Sequence, residues 1–147
     1  MPEIRIAQRG DLEALLPLVR GYREFYGRTH DAAAERALIE RHLREGGSAI
    51  YLALDGADAV GFAQLFRTWS TVQLGPVFIL EDLFVVPAAR GAGVASALLD
   101  RALLHVRVAR GVGMFLETAP DNETAQRVYE RAGWTREHAF LKYNAPI

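Results

Sequence analysis

With 147 residues, 50% of them hydrophobic and 24% charged, the chain can bury one core but is too short for two ordinary domains, so residues 1–147 are expected to form a single domain. A net charge of -1 argues against nucleic acid and against an anionic membrane surface as partners, since both call for a basic excess. Cysteine is absent, so there is no disulfide framework and no thiol nucleophile; with a charged start and no long apolar run, a cytoplasmic protein is the default expectation.

Residues 3–7 alternate Ile4 and Ile6 with charged neighbours and read as a first strand with one buried face. Asp11 is then placed to cap a helix in which Leu12, Leu15, Leu16, Val19, Tyr22 and Phe25 recur at helical spacing, with Pro17 as a kink. The aromatic end of this helix, Tyr22 to Tyr26, is core by residue type or else lines a substrate, with Tyr26 as the candidate contact. Asp31 caps a second helix with Ala34, Leu38, Ile39 and Leu43 as its apolar stripe, ended by Gly46 and Gly47. Residues 49–54 and 59–66 are apolar strands joined by Asp55-Gly56-Ala57-Asp58, a hairpin signal. Residues 67–71 are polar around Trp69 and read as a loop, in which Trp69 is either half-exposed or a substrate contact.

From Pro76 a strand rich in Val, Phe, Ile and Leu runs to Val86, stopped by Pro87 and interrupted only by Glu81 and Asp82. In a regular strand these two carboxylates face opposite ways, so one ligand meets both only if a bulge intervenes. The period then changes: Val94, Leu98, Ala102 and Val106, with Ala95, Leu99 and Leu103 beside them, give one helix face, while Arg101, His105, Arg107 and Arg110 point elsewhere. Residues 112–118 form the next strand, which makes a strand-helix-strand crossover with parallel strands. Gly91 and Gly93 at the strand-helix junction let backbone approach a ligand, and the first helical turn offers unpaired N–H groups. That is an anion site suited to a phosphate or pyrophosphate.

A Walker loop is excluded because Lys142 is the sole lysine. A dinucleotide fingerprint would put Ser96 at its last small position and Glu117 on a ribose, and it would need further strand-helix units where one helix and a short terminal strand remain. The third pattern is Arg/Gln-x-x-Gly-x-Gly/Ala, which Arg90-Gly91-Ala92-Gly93-Val94-Ala95 fits. Downstream, residues 121–134 carry Asn122, Ala125, Tyr129 and Ala132 on one face of a helix that starts at Pro120 and Asp121 or Asn122 and ends at Gly133. In this order the two stretches resemble the motifs of the GCN5-related N-acetyltransferase superfamily, covering residues 80–134.

The resemblance implies an α/β (α+β) fold, a mixed and mostly antiparallel sheet splayed at its fourth strand with helices on both faces. It also implies acetyl-CoA as cosubstrate, its pyrophosphate held by Arg90 and the amides of Gly91, Ala92, Gly93, Val94, Ala95 and Ser96. A bulge near Glu81 would free backbone groups of Leu83, Phe84 and Val85 for the thioester and pantetheine, and Asn122 would bind pantetheine or position its helix. A primary amine with a pKa of about 10.4 is protonated at neutral pH and must lose a proton before it attacks a thioester. Glu81, as in the diamine acetyltransferases, would draw that proton through a water. Tyr129, protonated at neutral pH and at the superfamily's tyrosine position, would return one to the departing thiolate.

Direct transfer in a ternary complex is the expected route, and no metal is indicated, since His30, His42, His105 and His138 lack ligand spacing. Asp82, Trp69 and Tyr26 are the candidate acceptor contacts. Residues 80–85 are similar to the polyamine branch and residues 118–122 and 140–143 to the histone-type and amino-acid branch, so the acceptor stays open among polyamine, amino acid and lysine. A catalytically silent acyl-CoA sensor is the competing reading. Members often form homodimers, and residues 139–143 are placed to pair as a strand across a two-fold axis.

Overall fold

Five strands lie in one sheet in chain order: β1 (Glu3–Ile6), β2 (Ala49–Asp55), β3 (Asp58–Ser70), β4 (Gly75–Val85) and β5 (Gly113–Phe115). Neighbours are antiparallel except β4 and β5, which run parallel on either side of the crossover helix, as the expected mixed sheet requires. The computed structural model describes residues 1–147, which fall into two compact units, Met1–Glu117 and Thr118–Ile147.

In the first unit the strand alternation sorts the core into two layers. Ile50, Leu52, Phe62 and Phe84 share one face, against which α1 (Leu12–Phe25) and α2 (Ala32–Glu45) pack Leu15, Leu18, Val19 and Ile39. The intervening positions Tyr51, Gly61 and Ala63 face α3 (Val94–Val108), whose Val94, Leu98, Leu99, Ala102 and Val106 are buried as the sequence period predicts. The approach is close: a Cβ added to Gly61 would lie 3.4 Å from Leu98 Cδ1. His105, expected on the outer face of this helix, instead turns inward, with Nδ1 2.9 Å from the Tyr51 hydroxyl and its ring edge-on to Phe78.

Four further expectations are corrected. Asp11 does not cap α1 with its side chain: a short 3₁₀ turn precedes the helix, and the carboxylate accepts from Gln8 N–H at 2.7 Å and pairs with Arg5 at 2.8 Å. The buried positions of α2 are Glu35 and Ile39, while Leu38 is 53% exposed, because a paired carboxylate takes the inward place that the hydrophobic stripe assigned to leucine. Residues 67–70 are strand rather than loop: β3 runs on to Ser70, pairing Trp69 with Pro76. β5 is also shorter than the apolar run 112–118, with only Gly113–Phe115 paired.

The second unit holds α4 (Glu123–Arg131). Asn122 caps it, its Oδ1 accepting from Ala125 N–H at 3.2 Å, and Gly133 follows its last turn with a φ of +91°. Residues 139–143, expected to pair across a two-fold axis, carry no strand within the chain, and Phe140, Leu141 and Tyr143 are exposed.

Candidate active site

The register of β3 and β4 slips at one point. Leu65 opposes Leu80 and Gln64 opposes Asp82, so Glu81 is the extra residue of a β-bulge. Leu80 belongs to the α3 face with Leu65, while Asp82 belongs with Gln64 to the face covered by α1 and α2. The bulge therefore removes the alternation that would have set Glu81 and Asp82 on opposite sides. The condition under which both carboxylates can address one ligand is met by the backbone itself.

The two carboxylates have different surroundings. Glu81 is exposed, and its backbone carbonyl accepts the Tyr22 hydroxyl at 3.4 Å. Asp82 is half-buried, with Oδ2 accepting from Gln64 Nε2. Burial pushes the Asp82 carboxyl above the usual aspartate range and neighbouring Glu81 adds to this, while the Gln64 N–H opposes it. Gln64 is 4% exposed, and its Oε1 accepts from Ser48 Oγ at 2.7 Å. Sequence reading missed Gln64 and Ser48, and it placed Tyr22 only within the aromatic end of α1, as core or substrate lining. A signal existed for Gln64 alone, the one polar side chain in the apolar run 59–66.

Beyond the bulge, β4 loses its outer partner. β5 pairs only with Val77, Phe78 and Ile79, so the sheet parts from Leu80 onward, as the expected splaying of the fourth strand requires. Val86 N–H donates to Val60 at 2.9 Å, and by alternation Phe84 also faces β3. Leu83 and Val85 are thus the residues whose amides point to the edge that β5 has left; Phe84, expected to share that role, gives its amide to the ladder. At the same edge Val85 carbonyl accepts from Arg90 Nε at 2.9 Å. The Arg90 guanidinium lies 5.8 Å from the Phe84 ring and 6.0 Å from that of Phe25, which fastens the start of the glycine loop to β4 and α1.

In that loop Gly91 has a φ of +80° and Gly93 a φ of +82°, and a Cβ at either would meet no atom within 4 Å. Open space over left-handed backbone leaves the amides accessible. No side chain caps α3, and its first backbone bond is Ala97 N–H to Gly93 carbonyl at 3.0 Å. The N–H groups of Val94, Ala95 and Ser96 are left to an external acceptor at the positive end of a 15-residue helix. The chain's own residues fit a pyrophosphate here, because the donors converge without competition from a side chain.

The other expected contacts divide. Tyr26 is 47% exposed and stacks edge-on to Tyr22 at 5.1 Å, on the helix that packs over the Glu81–Asp82 face. Trp69 is 67% exposed under Arg67, and alternation along β3 from Gln64 sets it on the opposite face of the sheet. The structure does not bring Trp69 to the carboxylates. In the second unit Tyr129 is half-buried, its ring 6.2 Å from that of Trp134, and Asn122 is engaged in its cap.

Residues 15–134 match the acetyltransferase (GNAT) family. The chain is 34% identical over 140 residues to the uncharacterized N-acetyltransferase YhfO of Bacillus subtilis, covering 95% of this chain and 94% of that one. A crystal structure described as a "probable acetyltransferase" superposes with a TM-score of 0.92 at 39% identity, over 99% of this chain and 97% of the other. The aminoglycoside N-acetyltransferase AAC(6')-Iy, solved in complex with CoA, superposes with a TM-score of 0.86 at 25% identity, over 100% of this chain and 96% of the other. The chain belongs to the acetyltransferase (GNAT) family and is an N-acetyltransferase.

Proposed function

We propose that this protein transfers acetyl from acetyl-CoA to a primary amine of a small molecule, directly and without a covalent acyl-enzyme. The observation that carries the reading is the continuous edge formed by the bulge at Glu81, the amides of Leu83 and Val85 and the N–H-lined Gly91–Gly93 loop. One end of that edge suits deprotonation of an ammonium, the middle suits a thioester carbonyl and amide groups, and the far end suits a pyrophosphate. AAC(6')-Iy, a relative in fold and sequence, was solved with CoA, which supports the choice of nucleotide.

Glu81 accepts the ammonium proton through a water, and the freed nitrogen forms its bond to the acetyl carbon while the carbon-sulfur bond breaks. The surplus proton left on that nitrogen passes to solvent, from which the Tyr129 phenol is restored after it protonates sulfur. The Leu83 and Val85 N–H groups steady the carbonyl oxygen as charge builds there. Tyr129 supplies the proton that the departing thiolate takes up, a role resting on its phenol chemistry and its place in the second motif. Asp82 and Tyr26 contact the acceptor, and the carboxylates favour one that carries positive charge. Arg90 holds the loop in shape from its bond to Val85, and Asn122 serves by capping α4.

The test is calorimetric titration with acetyl-CoA, NAD and NADP in turn, followed by thiol release with 1,4-diaminobutane, free amino acids and a lysine peptide. Micromolar acetyl-CoA binding with CoA release on at least one amine is expected. Acetyl-CoA binding with no release on any amine would leave an acyl-CoA sensor as the better reading, and binding of a nicotinamide nucleotide alone would overturn both.

A further inference from the structure

We infer that Gln64, itself held by Ser48, is a positioning residue that aims the Asp82 carboxylate at the acceptor amine. The inference rests on the acetyl-transfer reading above. Three strands contribute, with Ser48 just before β2, Gln64 on β3 and Asp82 on β4, and the chain of donors runs in one direction. Ser48 Oγ donates to Gln64 Oε1, so Gln64 Nε2 is left facing Asp82 Oδ2, where it donates in turn. A flipped amide would set Oε1 against a carboxylate oxygen, so both ends of the chain select the same orientation.

Such a chain is costly unless it serves something. A buried amide in an apolar strand gives up its hydration, and an apolar pair of the same shape would be nearly neutral. What the chain secures is the carboxylate of the first paired residue after the bulge, beside the point where the strand's alternation is interrupted. With Oδ2 tied to Gln64, a residue that is 4% exposed, the weakly screened hydrogen bond fixes the group, and Oδ1 is left for the substrate ammonium beside Glu81. Glu81 has no comparable tether and is exposed, so the fixed group of the pair is Asp82.

The experiment is a double-mutant cycle on the full chain with acetyl-CoA and 1,4-diaminobutane, or whichever amine the wild type turns over. Gln64→Met, of similar length and shape, should raise KM for the amine about tenfold, with KM for acetyl-CoA changed less than about twofold. In an Asp82→Asn background the same substitution should add almost nothing to KM for the amine, because the residue through which it acts is already disabled. Ser48→Ala, outside the core, should give a smaller rise in the same direction and carries the test if Gln64→Met does not fold. Additive effects in the cycle, or equal rises in both KM values, would reduce Gln64 to a packing residue and overturn the inference. A wild type without turnover on any amine would overturn the acetyl-transfer reading and the inference with it, an outcome distinct from additivity in an active enzyme.

Discussion

Adjacent carboxylates usually make a poor catalytic pair in a strand because each looks to its own face. Here one inserted residue removes that obstacle, and burial separates their properties: Asp82 is pushed upward by desolvation while Glu81 sits in solvent. In the function proposed above, the wet carboxylate removes the proton and the tethered one recognises the acceptor. At the other end of the reaction, Tyr129→Phe removes one oxygen and leaves the ring against Trp134. Turnover should fall by about 10²-fold while acetyl-CoA affinity by calorimetry stays within about twofold, since only a proton donor is lost. Unchanged turnover would remove Tyr129 from the mechanism. Residues such as Gly91, Gly93 and Asn122 are legible in the sequence because their roles are set within four positions of chain, by a turn or a cap. Gln64, Ser48 and Tyr22 act across strands and helices, where no local spacing records the partner.

Among the elements, the α1–α2 connection shows how a misread position can be informative. Glu35 occupies an inward place on α2 with its side chain 5% exposed, pairing with Arg23 at 3.0 Å and His30 at 2.6 Å and accepting from Asp31 N–H at 3.3 Å. Burial pushes this carboxyl up, but the Asp31 N–H, Arg23 and His30 together pull it below its ordinary value of 4.5. A depressed acid means that the unfolded chain binds more protons, so the stabilisation is complete above the ordinary value and is lost as pH falls through the lower folded one. Glu35→Gln should cost about 1–3 kcal/mol at pH 7 by denaturant unfolding, and the gap to wild type should close as pH falls through the lowered folded value. A gap independent of pH would show that Glu35 acts by shape alone. At the start of α3, Gly93→Ala meets no atom but must hold a φ of +82°, so strain rather than a clash is its cost. A loss of about 1 kcal/mol in stability and a weakening of acetyl-CoA binding by about tenfold or more are expected, the second because the loop relaxes away from the conformation that converges its amides. Equal affinity in calorimetry would dissociate the loop from the nucleotide.

At the scale of the molecule, the order of elements was readable because each strand and helix announces itself by period, and the β4–α3–β5 crossover by its glycine junction. The length of β3 was not, since Trp69 gains its place in the sheet only by facing Pro76 across a hairpin. β5 was over-read for the converse reason: its apolar run continues where pairing has stopped. The two-layer core makes its own prediction. Leu98 is 0% exposed and sits against Gly61 on the central strand, one turn beyond the glycine loop. Leu98→Ala should cost about 2–5 kcal/mol through lost burial and the cavity left behind, a fall in Tm of about 10 °C for a chain of this size. Because the loop's own conformation is fixed by glycine backbone and by the Arg90 bond to Val85, acetyl-CoA affinity measured well below the new Tm should change far less than it does for Gly93→Ala. A large loss of affinity with Tm unmoved would invert that division of labour, making the helix face, rather than the loop, the element that sets the nucleotide site.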